Sequence, residues 1–436
     1  MLKAYRPYDP DQDFLLPPSP REWLPENHLA YFVSDVVENL DLSPMHAIYA
    51  GELRGQPPYD PRMMTKVLLY GYCVGVFSSR KIQRRISEDI AFRVLAAGNA
   101  PDFRTISDFR KIHLATLQGF FEEVLKIALE AGAMKLGQVA LDGTKIKANA
   151  SKHKAMSWDR MLEQEQKIRQ QVKDLLRRAA ATDAEEDAQY GTDKSGDELP
   201  EELQRRESRL KRIKEAKKVL RQRAKEKAEA EGKAAEKAKP EDKAQYNFTD
   251  PESRIMKSNE GFVQAYNAQA AVEPHFQLIV GQAVTQAAND KEQVKPMVEV
   301  IEQQSGQRPT ELLADSGYCS EKNLEYLESS AEPEKRVEAF VATERQKHGN
   351  ESATCPRGAI PKSATRVARM ARKLKTKTGK AVYAARKSIV EPVFGQIKQA
   401  RGFRRFQLRG LAKVRAEWAI VCLTHNILKL YRLCNA

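Results

Sequence analysis

Strand-forming sequence in this chain is interrupted by a long block that cannot itself be strand. From 161 to 243 there are 20 Asp plus Glu and 22 Lys plus Arg in 83 residues, with almost no aromatics. Trp158, Leu162, Ile168, Val172, Leu175 and Leu176 recur at helical spacing, and Leu203, Leu210, Ile213 and Leu220 do so again. Between the two series, Asp183 to Pro200 is acidic, contains Gly191 and Gly196, and reads as a loop. The block predicts an inserted helical hairpin, a charged antiparallel arm of coiled-coil type, ending in a partly disordered Ala/Lys/Glu-rich tail over 225–243.

Strand signals flank the arm. Before it, Gln138 to Ile146 carries Val139, Leu141, Thr144 and Ile146, which favour extended backbone, with Asp142 in the interior, where an acid is unusual. After it, Gly261 to Val272 and Phe276 to Thr285 read as a hairpin turning at Glu273-Pro274-His275. A helix from about Asp290 to Gln303 follows, then a short strand, Thr310 to Ala314, ending at Asp315. A helix over Lys322 to Ser329, a strand over Val337 to Thr343 and a long helix around Tyr383 to Arg401 complete the series. The fold class expected is α/β: this strand and helix order is that of an RNase H-like mixed sheet with an inserted helical hairpin.

The N-terminal third reads as all helix. Asp60 and Pro61 have the types of an N-cap and first helical residue. Ser78-Ser79 precedes a helix carrying Arg80, Lys81, Arg84 and Arg85 beside Ile82 and Ile86, and a long amphipathic helix runs to about Ala131. Short basic helices joined by turns fit a helix-turn-helix-like DNA-binding domain. An ordinary helical bundle with solvated Arg and Lys explains the same residues.

The +14 net charge is unevenly placed. Residues 341–420 hold 20 Lys plus Arg and four acids (Glu344, Glu351, Glu391, Glu417), whereas residues 1–340 are net −4. A one-sided basic region suits a polyanion, because each cation at a phosphate releases counterions. No apolar run reaches the length of a membrane span, and the opening residues lack a secretory pattern. Five scattered cysteines (Cys73, Cys319, Cys355, Cys422, Cys434) argue against a disulfide scaffold or a CxxC zinc site, so a cytoplasmic protein without membrane contact is expected.

Three acids converge if the sheet forms as expected: Asp142 within the first strand, Asp315 at the tip of the fourth and Glu391 on the last long helix. The first and fourth strands are neighbours in such a sheet, and the helix packs across their ends. Hard divalent cations want carboxylate oxygens with positions left open for water and phosphate, and two such ions can act together at a phosphodiester. Singly, Asp315 before Ser316-Gly317 fits a turn cap equally well, and Glu391 fits a solvated helix position.

Several stretches together resemble bacterial insertion-sequence transposases of the DDE class, of the IS-eleven-eighty-two kind. They are Pro58 to Met64, Leu141-Asp142-Gly143-Thr144-Lys145 with Ala148 to His153, Tyr266 to Gln269, Ala314 to Tyr318, and Val390-Glu391-Pro392-Val393-Phe394-Gly395-Gln396-Ile397-Lys398. The resemblance covers nearly the whole chain in order. It implies that Asp142, Asp315 and Glu391 are the catalytic and metal-binding triad. The implied cofactor is two Mg²⁺ ions, with Mn²⁺ as a substitute, Asp142 bridging both, Asp315 holding one and Glu391 the other. The implied partners are double-stranded DNA, as element ends and target, and further copies of the chain in a homodimer or higher oligomer on DNA.

Related transposases show a Tyr-x₂-Arg-x₃-Glu-x₆-Lys signature. Here Tyr383, Arg386, Glu391 and Lys398 match, except that four residues separate Arg386 from Glu391, which leaves Lys387 as an alternative to Arg386. On a regular helix Lys398 returns to within about 20° of Glu391, and Lys387 lies about 40° off, so one face would flank the acid with phosphate contacts. Arg401, Arg404 and Arg405 alternate with Phe403 and Phe406, a composition suited either to DNA, with a ring stacking on a base, or to a core. The DNA contacts expected are thus Tyr383, Arg386, Lys387, Lys398, Arg401, Arg404 and Arg405, with Arg80, Lys81, Arg84 and Arg85 in the N-terminal domain.

The expected layout is a helical DNA-binding domain over 1–133, an RNase H-like domain from 134–158 and 259–400, the arm over 159–258 and a basic helical segment over 401–436. The expected function is a DNA transposase that binds terminal inverted repeats, cleaves phosphodiester bonds and transfers strands. A structure-specific nuclease on the same fold, or a domesticated DNA-binding protein with a dead site, remains the alternative.

Overall fold

The computed structural model describes residues 19–50, 57–190, 201–230, 232–235, 238–258, 261–329, 336–344, 355–356, 358–361 and 363–435. Among the described residues, seven α-helices precede the first strand: α1 (Leu29–Glu38), α2 (Ser43–Tyr49), α3 (Pro61–Cys73), α4 (Ser79–Glu88), α5 (Ile90–Leu95), α6 (Phe103–Ile112) and α7 (Leu114–Glu130). Their limits follow local chemistry. The Asp60 carboxylate accepts the N–H groups of Arg62 (2.7 Å) and Met63 (3.4 Å), starting α3 at Pro61. Ser78 occupies the N-cap position of α4 but makes no side-chain cap. Asp89 ends α4 and caps α5 through Ala91 N–H, so Ile90 opens a new helix and is half exposed.

The strands are β1 (Gln138–Lys147), β2 (Ala155–Ser157), β3 (Gln245–Asn247), β4 (Arg254–Ser258), β5 (Gly261–Val272), β6 (Ile279–Thr285), β7 (Glu311–Ala314) and β8 (Glu338–Val341). Helices α8 (Trp158–Tyr190) and α9 (Glu201–Ala230) lie between β2 and β3. Helix α10 (Val294–Ser305) follows β6, and α11 (Glu321–Glu328) follows β7. After β8 come α12 (Arg366–Lys373), α13 (Lys377–Gly395) and α14 (Leu411–Cys434). The main sheet runs β4-β5-β1-β7-β8, and β6 lies end to end with β4 along the same edge of β5. β5 is antiparallel to β1, while β7 and β8 are parallel to it. This is the mixed, RNase H-like arrangement expected, with β1 central.

The structure departs from the sequence expectation at several places. β4 pairs with β5, so residues 254–258 belong to the sheet rather than the arm. The arm is closed at its root by the β2–β3 ribbon, too short to carry a periodic signal. α8 continues through Asp183 to Tyr190 and α9 reaches Ala230, so residues 183–190 and 225–230 are helix rather than the loop and tail expected there; residues 191–200 lie outside the described residues. The arm has a small core of its own, Trp158, Met161, Ile168, Ile213, Ala216 and Leu220, beside a buried Glu165–Lys217 ion pair at 2.6 Å.

The N-terminal helices and the sheet share one continuous apolar core, running from Val33 through Phe120 to Ile420. α14 is its centre and packs on α7, α3 and β6. Glu417 within it is fully buried, accepting from the N–H groups of Gln407 and Leu408 and from the Tyr72 hydroxyl, which in turn accepts from Arg110. A buried carboxylate needs this many donors to stay folded inside. Among the described residues no helix is long and apolar enough to cross a membrane.

Candidate active site

In the parallel pairing of β1 with β7, Leu141 is level with Ala314. Asp142 and Asp315 are each the next residue along, so the register sets the two acids side by side, Asp142 within β1 and Asp315 just past the carboxyl end of β7. Asp315 leaves the strand and turns: its Oδ1 accepts Gly317 N–H at 2.8 Å. Asp142 Oδ1 accepts its neighbour Gly143 N–H at 2.8 Å. α13 packs against β1 and β7 and brings Arg386, whose guanidinium lies 3.3 Å from Asp142 Oδ2 and 3.9 Å from Glu391 Oε1. Arg386 is 9% exposed at its side chain, whereas Glu391 is 55% exposed, on the open side of the cluster.

Burial pushes the Asp142 carboxyl up to about 6, against the pull of Arg386, and the nearby Asp315 adds to the rise. The rise is chiefly the cost of burying the charge, which Arg386 does not fully offset. Tyr318, fully buried just past Asp315, is raised well above its ordinary range by burial and then by Asp290, Asp142 and Asp315. Tyr383 sits half-buried against Arg386 and is raised by burial.

Asp290 is a fourth acid, and the sequence reading missed its role by placing it at a helix start. α10 begins only at Val294, and Asp290 lies in the loop after β6. Its Oδ1 accepts the side-chain amides of Asn267 (2.6 Å) and Gln269 (2.7 Å), and its Oδ2 is 3.6 Å from Lys145 Nζ. Gln269 accepts from the Tyr318 hydroxyl. A side chain at Gly143 would run into this network: its Cβ would fall on Gln269 Nε2 and lie 2.8 Å from Asp290 Oδ1. Glycine after Asp142 is therefore a packing requirement. The recoverable signal was the amide pair Asn267 and Gln269, same-face residues on β5 opposite Lys145 and Gly143 of β1.

Beside the acids opens a polar groove of about 380 Å³ whose lining includes Lys145, Lys147, Lys257, Lys398 and Arg404. After Gly395 the backbone widens into a π-turn over Gln396–Ala400, following Pro392 within α13. From that turn the Lys398 ammonium donates to Thr144 Oγ1 and Lys145 O on β1. Lys387 is exposed and lines a separate cavity with Lys380 and Tyr383, so it is Arg386 that reaches the acids despite the longer spacing.

Arg401 is not at the surface. It is 9% exposed and donates to Thr424 Oγ1 (2.8 Å) and Val421 O (3.1 Å) of α14, which corrects its expected place on DNA. Phe403 and Phe406 are fully buried, 5.5 Å apart edge to face, and so belong to the core rather than to a stacked base. Arg404 and Arg405 between them are exposed. On α4, Arg80, Lys81, Arg84 and Arg85 are all exposed while Ile82 and Ile86 are buried; Arg84 pairs with Glu88 and Arg85 with Asp89.

Among the described residues no three His, Cys, Asp or Glu side chains already converge as an ion-holding group. The donor chemistry nonetheless fits a hard divalent cation. The acids supply carboxylate oxygens only, Asp142 is raised by burial first and by Asp315 as well, and Glu391 is exposed beside Arg386.

A family model described as "Transposase domain (DUF772)" matches residues 18–112, and one described as "Transposase DDE domain" matches residues 228–427. The second contains Asp290, Asp315 and Glu391 and begins downstream of Asp142. Neither the curated proteins nor the solved structures give a match.

Proposed function

The chain belongs to the insertion-sequence transposases of the DDE class, and from that premise we propose that it binds the terminal inverted repeats of its element, cuts there and joins the freed ends to target DNA. The observation that carries this reading is the level pairing of Leu141 with Ala314, from which Asp142 and Asp315 emerge side by side under the helix of Glu391.

Asp142, Asp315 and Glu391 would hold divalent metal, Mg²⁺ or Mn²⁺. When bound, it would supply the positive charge that draws phosphate oxygens to the acids and eases formation of an oxygen nucleophile. The chain's own residues do the rest. Lys145, Lys147, Lys257, Lys398 and Arg404 receive the phosphodiester backbone at the edge of the acid cluster and offset its charge. Arg386 orients Asp142, and Asp290, fixed by Asn267 and Gln269, orients Lys145. Hydrolysis breaks one P–O bond and leaves a 3′-hydroxyl. That oxygen then bonds to a target phosphorus as the target's own 3′-oxygen departs. The exposed α4 cations are proposed to contact DNA outside the site, and two or more copies of the chain to pair the ends.

Incubation of the chain with Mg²⁺, a duplex carrying the DNA that bounds its gene, and a plasmid tests this. Joined products support transposition. Cleavage with no joining would identify a nuclease on the same fold.

A further inference from the structure

The arm carries a second cationic groove, and its charge is segregated in a way the near-neutral total conceals. Residues 203–225 of α9 hold 11 Lys plus Arg and only two acids, Glu207 and Glu215. Some of these cations act within the arm: Lys217 pairs with the buried Glu165, and Lys217 and Arg221 flank the ring of Trp158. Others face outward. Arg205, Arg209 and Arg212 follow one another at steps of four and three, the spacing of a single helix face, and all three are exposed. With Lys154, at the root of the arm, they line a groove of about 730 Å³ over a floor that includes Ile213 and Phe248. Among the described residues no carboxylate lines it.

We propose that this groove is a second seat for duplex DNA, gripping the phosphate backbone of the same molecule whose scissile end lies in the groove beside the acids. Arg209 and Arg212, three residues apart on one helix face, repel each other and Lys154 beside them, and a polyanion laid in the groove relieves that repulsion. DNA also has the reach. Lys147 lines the first groove and Lys154 the second, and the seven residues from one to the other span at most about 25 Å even fully extended. At 3.4 Å per base pair that is no more than about seven base pairs, so one duplex can occupy both grooves. The floor is packed arm core, so the cations stand on a rigid support. The inference rests on the DNA-handling reading above and adds to it a location and a length.

The test measures binding of the full chain to a fluorescein-labelled 30-base-pair duplex of mixed sequence by anisotropy over a series of KCl concentrations. The triple variant Lys154→Gln, Arg209→Gln and Arg212→Gln is expected to flatten the slope of log K against log salt by about 2 to 3. Replacing both arginines by lysine is expected to keep the wild-type slope. The exposed positions tolerate glutamine in a helix, and Lys154→Gln alone, outside α9, is expected to lower the slope by about 1. A triple variant that binds with the wild-type slope overturns the proposal. So does a variant whose only change is a smaller sedimenting assembly, which would assign the face to another copy of the chain. A wild-type chain that ignores the duplex overturns the DNA reading itself, and this inference with it.

Discussion

The Arg386 guanidinium lies 3.3 Å from Asp142 and 3.9 Å from Glu391, so one cation ties an acid inside the central strand to an acid on α13. Its pull does not outweigh burial, which still raises Asp142 to about 6. At pH 7 the folded protein therefore carries the Asp142 charge at a cost. In chelator-treated protein Asp142→Asn is expected to raise stability, on the order of 1 to 3 kcal/mol, while cleavage is lost. Urea unfolding at pH 7 checks the sign, and a destabilised variant would mean that Arg386 gains more from Asp142 than burial takes away.

The glycine after Asp142 is a second sensitive point. Gly143→Ala is expected to cost about 2 kcal/mol and to depress cleavage at least tenfold, because the new methyl must displace Gln269 or Asp290. Asp290→Ala is expected to lower cleavage with little change in duplex affinity. Single-turnover cleavage alongside anisotropy separates the two effects, and an Asp290→Ala variant that cuts at the wild-type rate would remove Asp290 from the site.

How far the sequence could be read depended on regularity. β1, β5, β6, β7 and β8 were legible because each is an apolar or β-branched run bounded by turn residues, and their order alone put Asp142 beside Asp315. β2, β3 and β4 were not, being three to five residues long and stable only through their partners. Asp290 was hidden because its role comes from two amides on a different strand. The π-turn that carries Lys398 is a change of helix type that residue counting cannot foresee. Arg401 reads as basic surface in sequence, yet it is buried against Thr424 and Val421, partners more than 15 residues away.

That contrast between surface and buried bases can be measured. The double variant Lys257→Gln and Arg404→Gln is expected to flatten the salt dependence of duplex binding by about 2 with little effect on stability. Arg401→Gln is expected to destabilise the fold by about 2 to 4 kcal/mol, and any folded fraction should keep the wild-type slope. A flattened slope in folded Arg401→Gln would return that residue to the DNA surface.

Acid sensitivity has a named source in α14. His425 is fully buried, its Nε2 3.0 Å from Gln277 O, and burial first, then the nearby Arg401, pushes it down to about 3. Unfolded, the imidazole takes a proton near 6.5, so below that pH the unfolded state binds one proton more and stability falls as pH falls toward 3. Its share is about 1.4 kcal/mol per pH unit. Urea midpoints measured from pH 7 to pH 5 are expected to fall less steeply in His425→Gln than in wild type, even if that variant is less stable throughout. Parallel profiles would show that His425 does not stay neutral in the fold.

The central claim is that Asp142, Asp315 and Glu391 act as one catalytic group. Asp142→Asn, Asp315→Asn and Glu391→Gln are each to be assayed with Mg²⁺ on a duplex carrying the element end, with end binding measured in parallel. Loss of cleavage in all three, with end binding largely kept, is the predicted result; full cleavage by any one of them would contradict the account for that residue.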